Sequence, residues 1–565
     1  MNILMLAFTP RFVVLTVCSV LTLVLLGIVL THSGSGLVWL PLLLFGFLTL
    51  VGIHDLLQRH HAVLRNYPIT AHMRFILEEV RPEMRQYFFE SEKDGMPFSR
   101  DKRAVVYQRA KLALDKRPFG TQEDVYSDGY EWMHHSVAPH PHATEKFRID
   151  VGGPDCLKPY SASVFNISAM SFGSLSANAV RALNGGARKG GFAHDTGEGG
   201  ISPYHIEMGG DLIWEIGSGY FSCRHLDGTF DPEAFERLAA RDQVKMIEIK
   251  MSQGAKPGHG GVLPAAKISE EISRIRGVAM GEDCISPAYH KAFSTPLEMV
   301  AFLSELRRLS GGKPVGFKLC IGHRWEFLAI CKAMLQTGIY PDFIVVDGNE
   351  GGTGAAPVEF MDHMGAPLRE GLNFVHNALV GINARDRIRV GASGKVVTAF
   401  DMARAMALGA DWCNSARGFM FSLGCIQSLS CHTDRCPTGV ATQDPVRSRA
   451  LDVPLKTDRV YNYHEATLMA LKELIAAAGL DHPQQIRPIH FSYRQTGTDV
   501  RSFAQLYPAL QPGELLTGTH DPRFREAWDM ARAESFEPEI GSPLGANALL
   551  RNSLDPQLLE VTAAE

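Results

Sequence analysis

Three cysteines stand within twelve residues, in the run Gly424-Cys425-Ile426-Gln427-Ser428-Leu429-Ser430-Cys431-His432-Thr433-Asp434-Arg435-Cys436-Pro437-Thr438-Gly439. Three thiolates so close together, with a proline after the last, suit an iron–sulfur site. Zinc held by Cys425, Cys431, Cys436 and His432 is the rival, although adjacent Cys431 and His432 would struggle to point at one metal. Buried structural thiols are the third reading. The remaining cysteines are scattered along the chain, which fits free thiols in a reducing compartment. His134, His135, His140 and His142 also resemble ligands, but Pro139 and Pro141 interrupt them, so a solvated loop is the preferred reading over metal. A second group of chemically loaded residues is spread more widely. It comprises 168–173, 195–200, 250–258, Lys318, 348–354, 391–395 and 416–418, all rich in glycine or in polar side chains. Glycine clusters let backbone amides approach an anion closely.

These segments need elements to bring them together. Each follows a short apolar run, and the runs alternate with helical stretches. The runs are 164–170, 192–195, 219–223, 245–250, 315–320, 342–346, 387–391 and 411–415. Eight buried parallel strands, each with a crossover, over roughly 260 residues predict a (β/α)8 barrel. In such a barrel the strand C-termini carry the active residues, and the last two loops commonly bind a phosphate. A doubly wound sheet is the alternative, but no G-x-G-x-x-G follows the first strand, and the glycines of 391–395 are too close for a P-loop.

The 565 residues carry a net charge of -5 with mixed signs, which gives no reason to expect a nucleic-acid partner. Between Arg11 and Asp55 there is no Asp, Glu, Lys or Arg. A bilayer core needs only about 20 apolar residues per span, and Ser33-Gly34-Ser35-Gly36 breaks the run. Two spans are expected, 12–31 and 37–53. Arg11 precedes them, Arg59 and Arg65 follow, and the loop between them has no Lys or Arg. Both ends and the catalytic region then face the cytoplasm. A signal peptide followed by one anchor is the rival. The expected organisation is a transmembrane helical hairpin at 1–53, a helical or irregular extension at 54–160, the barrel with its cysteine motif at 161–445, and a helical extension at 446–565.

The cysteine motif, with its tail Gly439-Val440-Ala441-Thr442-Gln443, resembles the 3Fe-4S motif of glutamate synthase. The likeness extends over 168–174, 196–200, 252–258 and 351–357, and it covers about 160–445 well. The flanks resemble a shorter branch, the FMN-binding glutamate synthase family proteins. The resemblance implies an FMN that takes electrons through the cluster and passes a hydride to 2-iminoglutarate, giving L-glutamate from 2-oxoglutarate and ammonia. It implies that Ala169, Met170 and Ser171 back the isoalloxazine and that Lys318 faces its N1/O2 edge. Gly352, Ser393, Gly394, Ala416 and Arg417 would hold the phosphate. Lys256 and Arg276 would hold the carboxylates of the 2-oxo acid, with Gln253 contacting flavin or substrate. Glu198 would handle a proton or couple the two centres. Cys425, Cys431 and Cys436 would carry the cluster.

Two departures stand out. Where the family loop continues Glu-Gly-Gly-Gln after Ala-Lys-Pro-Gly, this chain has His259-Gly260-Gly261-Val262, so an amide that helps hold the oxo acid is replaced by an apolar side chain. The apolar start stands where the family carries its glutaminase cysteine, so ammonia is expected free or from a partner. Electrons are expected from ferredoxin, a membrane carrier or a separate reductase. Two other functions remain open on the same scaffold: an amino-acid N-methyltransferase type of flavin enzyme, and a non-catalytic membrane redox relay.

Overall fold

The computed structural model describes residues 7–31 and 36–539. Of the break expected at 33–36, residues 33–35 lie outside the described residues, as does the chain beyond 539, and Gly36 opens a helix. The chain divides into two compact units, Met1–Asp101 and Lys102–Glu565.

In the first unit, two long helices, α1 (Val13–Thr31) and α2 (Gly36–Leu57), are each long and apolar enough to cross a membrane. Their large side chains point outward: Leu23, Leu30, Leu40 and Phe47 are all exposed. An apolar surface of this extent is unfavourable in water and favourable in hydrocarbon. The helices meet through small residues. Thr22 Oγ1 and Thr49 Oγ1 lie 3.1 Å apart, and Gly52 sits against Leu15. α2 runs past Ile53 to include His54 and Asp55. Two further helices follow, α3 (Ala62–Asn66) and α4 (Thr70–Met84), the latter running into a wider turn at Arg85–Phe89.

The second unit is built on a closed barrel of eight parallel strands. They are β1 (Phe165–Ile167), β2 (His194–Asp195), β3 (Leu212–Ile216), β4 (Val244–Lys250), β5 (Val315–Leu319), β6 (Phe343–Asp347), β7 (Arg389–Ser393) and β8 (Trp412–Ser415). The ring closes where Cys413 of β8 pairs with Phe165 of β1. The expected (β/α)8 barrel is therefore the observed fold. One strand differs from expectation. Residues 219–223 form a turn, and the third strand is 212–216. Glu215 interrupts its apolar run, and in the barrel this side chain points inward and is buried.

A helix follows each strand, and local chemistry sets the helix ends. Ser176 Oγ caps Ala177–Gly190 by accepting from Ala179 N, and Gly191 ends it with φ 69°. Thr295 and Glu298 form a reciprocal capping box on Pro296–Leu309. A 25-residue helix, Val453–Ala477, packs outside β1, where Phe165, Phe192, Phe419 and His464 stack. A three-stranded antiparallel sheet joins Glu131–Met133 to Phe491–Thr496 and Asp499–Ser502. The sheet uses His134, whose amide donates to His490 O and whose Nε2 lies 2.8 Å from Ser492 Oγ. His140 pairs with Asp481. These histidines therefore serve structure.

Candidate active site

The C-terminal ends of the barrel strands surround one cavity. The loop after β1 contributes Ala169, Met170 and Ser171. The loop after β4 contributes Gln253, Lys256 and Val262, and β5 contributes Lys318. Gly352 and Ala416 come from the loops after β6 and β8, Ser393 from the end of β7 and Arg417 from the start of the helix after β8, with Glu198 from the loop after β2 and Cys431 from the cysteine segment. Gly394, Arg276, Cys425 and Cys436 stand outside this lining.

Two close approaches fix the loop after β4. A Cβ at Gly254 would overlap the Gly348 carbonyl, and one at Gly261 would overlap the Glu198 carboxylate. The Gly254 amide donates to Asp347 Oδ2 at 2.8 Å. Lys256 is buried, and its Nζ donates to Ala355 O at 2.9 Å. Burial lowers its pKa to about 8, against the pull of Glu198. Lys250 Nζ lies 3.0 Å from Glu198 Oε1 and donates to Gln253 Oε1 at 2.6 Å. Burial alone would raise the Glu198 carboxyl. Lys250, then Arg276 and Lys256, outweigh it and hold Glu198 below its ordinary range.

Arg276 sits one side chain back from the cavity. Its Nη2 donates to Ser171 Oγ at 3.2 Å and to Phe172 O at 3.0 Å, and its guanidinium covers the Phe221 ring.

Lys318 is the centre of a buried ionic group that sequence reading missed. Its ammonium bonds the Glu215 carboxylate and lies 3.4 Å from Glu248 Oε1. Ligand oxygens of Asp195, Glu215 and Glu248 all lie within 4.8 Å of one another. Burial disfavours the Lys318 charge, but Glu215, Glu248 and Asp195 together push its pKa well up. Burial and the neighbouring Glu215 carboxylate raise Asp195 to about 7. Burial likewise raises Glu248. The available signal was a glutamate in each of two neighbouring strands, Glu215 in β3 and Glu248 in β4, which pair in register.

The cysteine segment lies against the loop after β1. Gln443 Nε2 donates to Gly173 O and Leu175 O, and Ser176 Oγ donates to Gly439 O. Lys267, also unforeseen, is buried and donates to Ser174 O at 2.8 Å. Arg417 bridges the parts of the mouth, with Nη1 3.8 Å from Cys431 Sγ and Nη2 on Thr353 O. Burial would raise the Cys436 thiol, but the Thr438 hydroxyl and the amides of Ala441, Thr438 and Val440 bring it below its ordinary value. Cys425 is pushed up by burial, with Arg417 opposing.

Residues 155–481 match the family described as the conserved region in glutamate synthase. The chain is 38% identical over 501 residues to the glutamate synthase large subunit-like protein YerD of Bacillus subtilis, covering 81% of this chain and 94% of that protein. It is 35% identical over 324 residues to the archaeal glutamate synthase [NADPH] of Methanocaldococcus jannaschii, covering 57% of this chain and 60% of that one. It is 33% identical over 333 residues to the archaeal-type glutamate synthase [NADPH] of Thermotoga neapolitana, covering 58% and 62%. The chain thus spans about three fifths of the length of these two relatives. With its barrel closed and its matched region covering every barrel strand, the chain belongs to the glutamate synthase family.

Proposed function

We propose that the chain is an FMN- and 3Fe-4S-dependent oxidoreductase that reductively aminates a 2-oxo acid, forming L-glutamate when that acid is 2-oxoglutarate. The observation that carries this reading is the shared cavity. Cys431 and the strand-end loops line one space, and Arg417 lies between Cys431 and Thr353.

The residues present fit both groups. Gly354 lines the cavity with nothing within 4 Å of a would-be Cβ, so the space it leaves is not taken by protein. Lys318 supplies a fixed buried cation at the barrel mouth. The amides and hydroxyl around Cys436 favour the thiolate that a multi-iron cluster needs, and Arg417 stands beside Cys431. FMN, when bound, supplies hydride transfer, and the cluster supplies one-electron transfer.

The chain's own residues then have distinct tasks. Ala169, Met170 and Ser171 back the ring system. Lys318, with its charge sustained by Glu215, Glu248 and Asp195, would supply positive charge to the reduced flavin when FMN is bound. Gly352, Ser393, Gly394, Ala416 and Arg417 hold the phosphate. Lys256 meets a substrate carboxylate. Arg276, held to Ser171 and Phe172 just behind the cavity, would serve the second carboxylate. Gln253, oriented by Lys250, contacts ring or substrate. Glu198 handles a proton or couples the two centres. α1 and α2 anchor the chain in the cytoplasmic membrane as a two-span hairpin with the barrel on the cytoplasmic side. The arginines that flank the hairpin support this orientation. Ferredoxin or a separate reductase supplies electrons, and ammonia arrives free or from a partner.

Val262 lines the cavity and favours a second reading, in which the acid or amine is less polar, as in amino-acid N-methyl transfer. The test is product formation. Purified protein with a chemical reductant is given ammonia or methylamine and each of several 2-oxo acids. Glutamate from 2-oxoglutarate and ammonia supports the first reading. A product only with other pairs supports the second, and no amine product from any pair removes both.

A further inference from the structure

Beyond the two apolar helices, the first unit carries a third exposed apolar feature. Along α4 and its terminal turn, Met73, Ile76, Leu77, Val80, Met84, Tyr87 and Phe88 recur at intervals of three and four, with two adjacent pairs, Ile76-Leu77 and Tyr87-Phe88. At 3.6 residues per turn Met73, Ile76, Leu77, Val80 and Met84 fall on one stripe, and Tyr87 and Phe88 follow it in the wider turn. All seven are exposed, between 41% and 74%. Glu78 and Glu79 stand on the other side of the helix, and Arg74 pairs with Glu78 at 2.8 Å. Arg74, Arg81 and Arg85 recur at seven and four, which places them in a row along one margin of the stripe. A water-soluble helix buries such a stripe against a core.

The position of α4 says what covers it. Asp55, near the end of α2, is fully buried and accepts from the Ile69 amide at 2.9 Å. Its carboxylate also lies 3.0 Å from His72 Nε2. One carboxylate thus clamps the first turn of α4 to the end of an apolar helix. On the membrane-anchor reading, α4 begins where α2 leaves hydrocarbon. An amphipathic helix fixed at that level meets the boundary between headgroups and acyl chains, and basic side chains at its margin meet lipid phosphates.

We propose that α4 and the turn Arg85–Phe89 lie in the surface of the bilayer that α1 and α2 cross, with the apolar stripe immersed and the Glu79 side facing water. The partner is a phospholipid surface, and the inference rests on the membrane-anchor reading. The anchor is then a hairpin plus an in-plane helix, with the Asp55–His72 contact as the corner between them.

The experiment uses the full chain in vesicles of phosphatidylethanolamine and phosphatidylglycerol. A photoreactive benzophenone side chain is placed singly at Leu44 in α2, at Leu77 in the stripe, or at Glu79 opposite. The expected result is phospholipid adducts at Leu44 and Leu77 and loss of that adduct at Glu79. Lipid adducts at Leu44 but none at Leu77 overturn the inference and leave the anchor standing. A Leu77 adduct to protein instead of lipid overturns it in favour of a protein interface. Equal lipid adducts at Leu77 and Glu79 overturn the in-plane orientation. No lipid adduct at Leu44 removes the anchor and this inference with it.

Discussion

Lys256 offers a test in which stability and binding move in opposite directions. It is buried, donates one hydrogen bond to Ala355 O, and has its pKa lowered from 10.5 to about 8 mainly by burial. That difference corresponds to about 3 kcal/mol against the charged form. A folded-state pKa below the unfolded one means that the penalty is fully present below about pH 8. It fades as pH rises toward 10.5. Lys256→Met removes the charge while keeping the length. Because one hydrogen bond is lost and relaxation absorbs part of the strain, the expected gain in stability at pH 7 is about 1–2 kcal/mol. This gain should shrink at pH 10. Substrate binding should move the other way. A charge-assisted contact to a desolvated carboxylate contributes about 2–3 kcal/mol, so the apparent substrate constant should rise roughly thirty- to a hundred-fold. In the wild type, kcat/KM should fall as pH rises through about 8, where the free enzyme loses the lysine charge. The assays are thermal unfolding at the two pH values and steady-state kinetics with flavin content held equal. A Met variant that is less stable at pH 7 and has an unchanged substrate constant would refute the reasoning.

Three other perturbations probe the rest of the mouth. Val262→Gln adds an amide to the cavity wall; turnover of 2-oxoglutarate should rise or hold, whereas an enzyme tuned to a less polar acid should lose its native turnover, and identical kinetics on every acid would remove Val262 from the substrate site. Cys431→Ser should abolish bound iron while leaving most of the flavin, by metal analysis and visible absorbance, and one zinc per chain with no iron in the wild type would contradict the cluster. Lys318→Met leaves Glu215, Glu248 and Asp195 without their cation, so it should cost about 3–5 kcal/mol at neutral pH. The loss should grow with pH as the carboxyls ionise, and adding Glu215→Gln should recover part of it; an additive double variant would mean that the pair is not coupled.

The eight-strand barrel was legible because buried parallel strands read as short apolar runs before glycine-rich loops. The third strand was misplaced for the same reason. Glu215 breaks the apolar run, and only the closed ring reveals that its partner Lys318 stands across the barrel interior, over a hundred residues later in the chain. Pairwise chemistry of that kind has no local signature. The loop residues were legible as a set because their glycines mark strand ends. Arg276 carried no such mark, and its position behind Ser171 depends on how the helix Glu270–Arg276 docks. The stripe on α4 was overlooked because the polar residues of 54–160 dominate its composition. The apolar period appears once Thr70–Met84 is known to be helical.

The central claim, that this barrel mouth reduces an imine, is tested most directly by flavin reoxidation. Purified protein is reduced without oxygen and then mixed with 2-oxoglutarate alone, ammonia alone, or both. The account predicts that the visible flavin absorbance returns only with both, at a rate matching glutamate formation. It predicts that Lys256→Met needs far more oxo acid to reach the same rate. No return of absorbance with any oxo acid and amine together, in protein shown to contain flavin and iron, would contradict it.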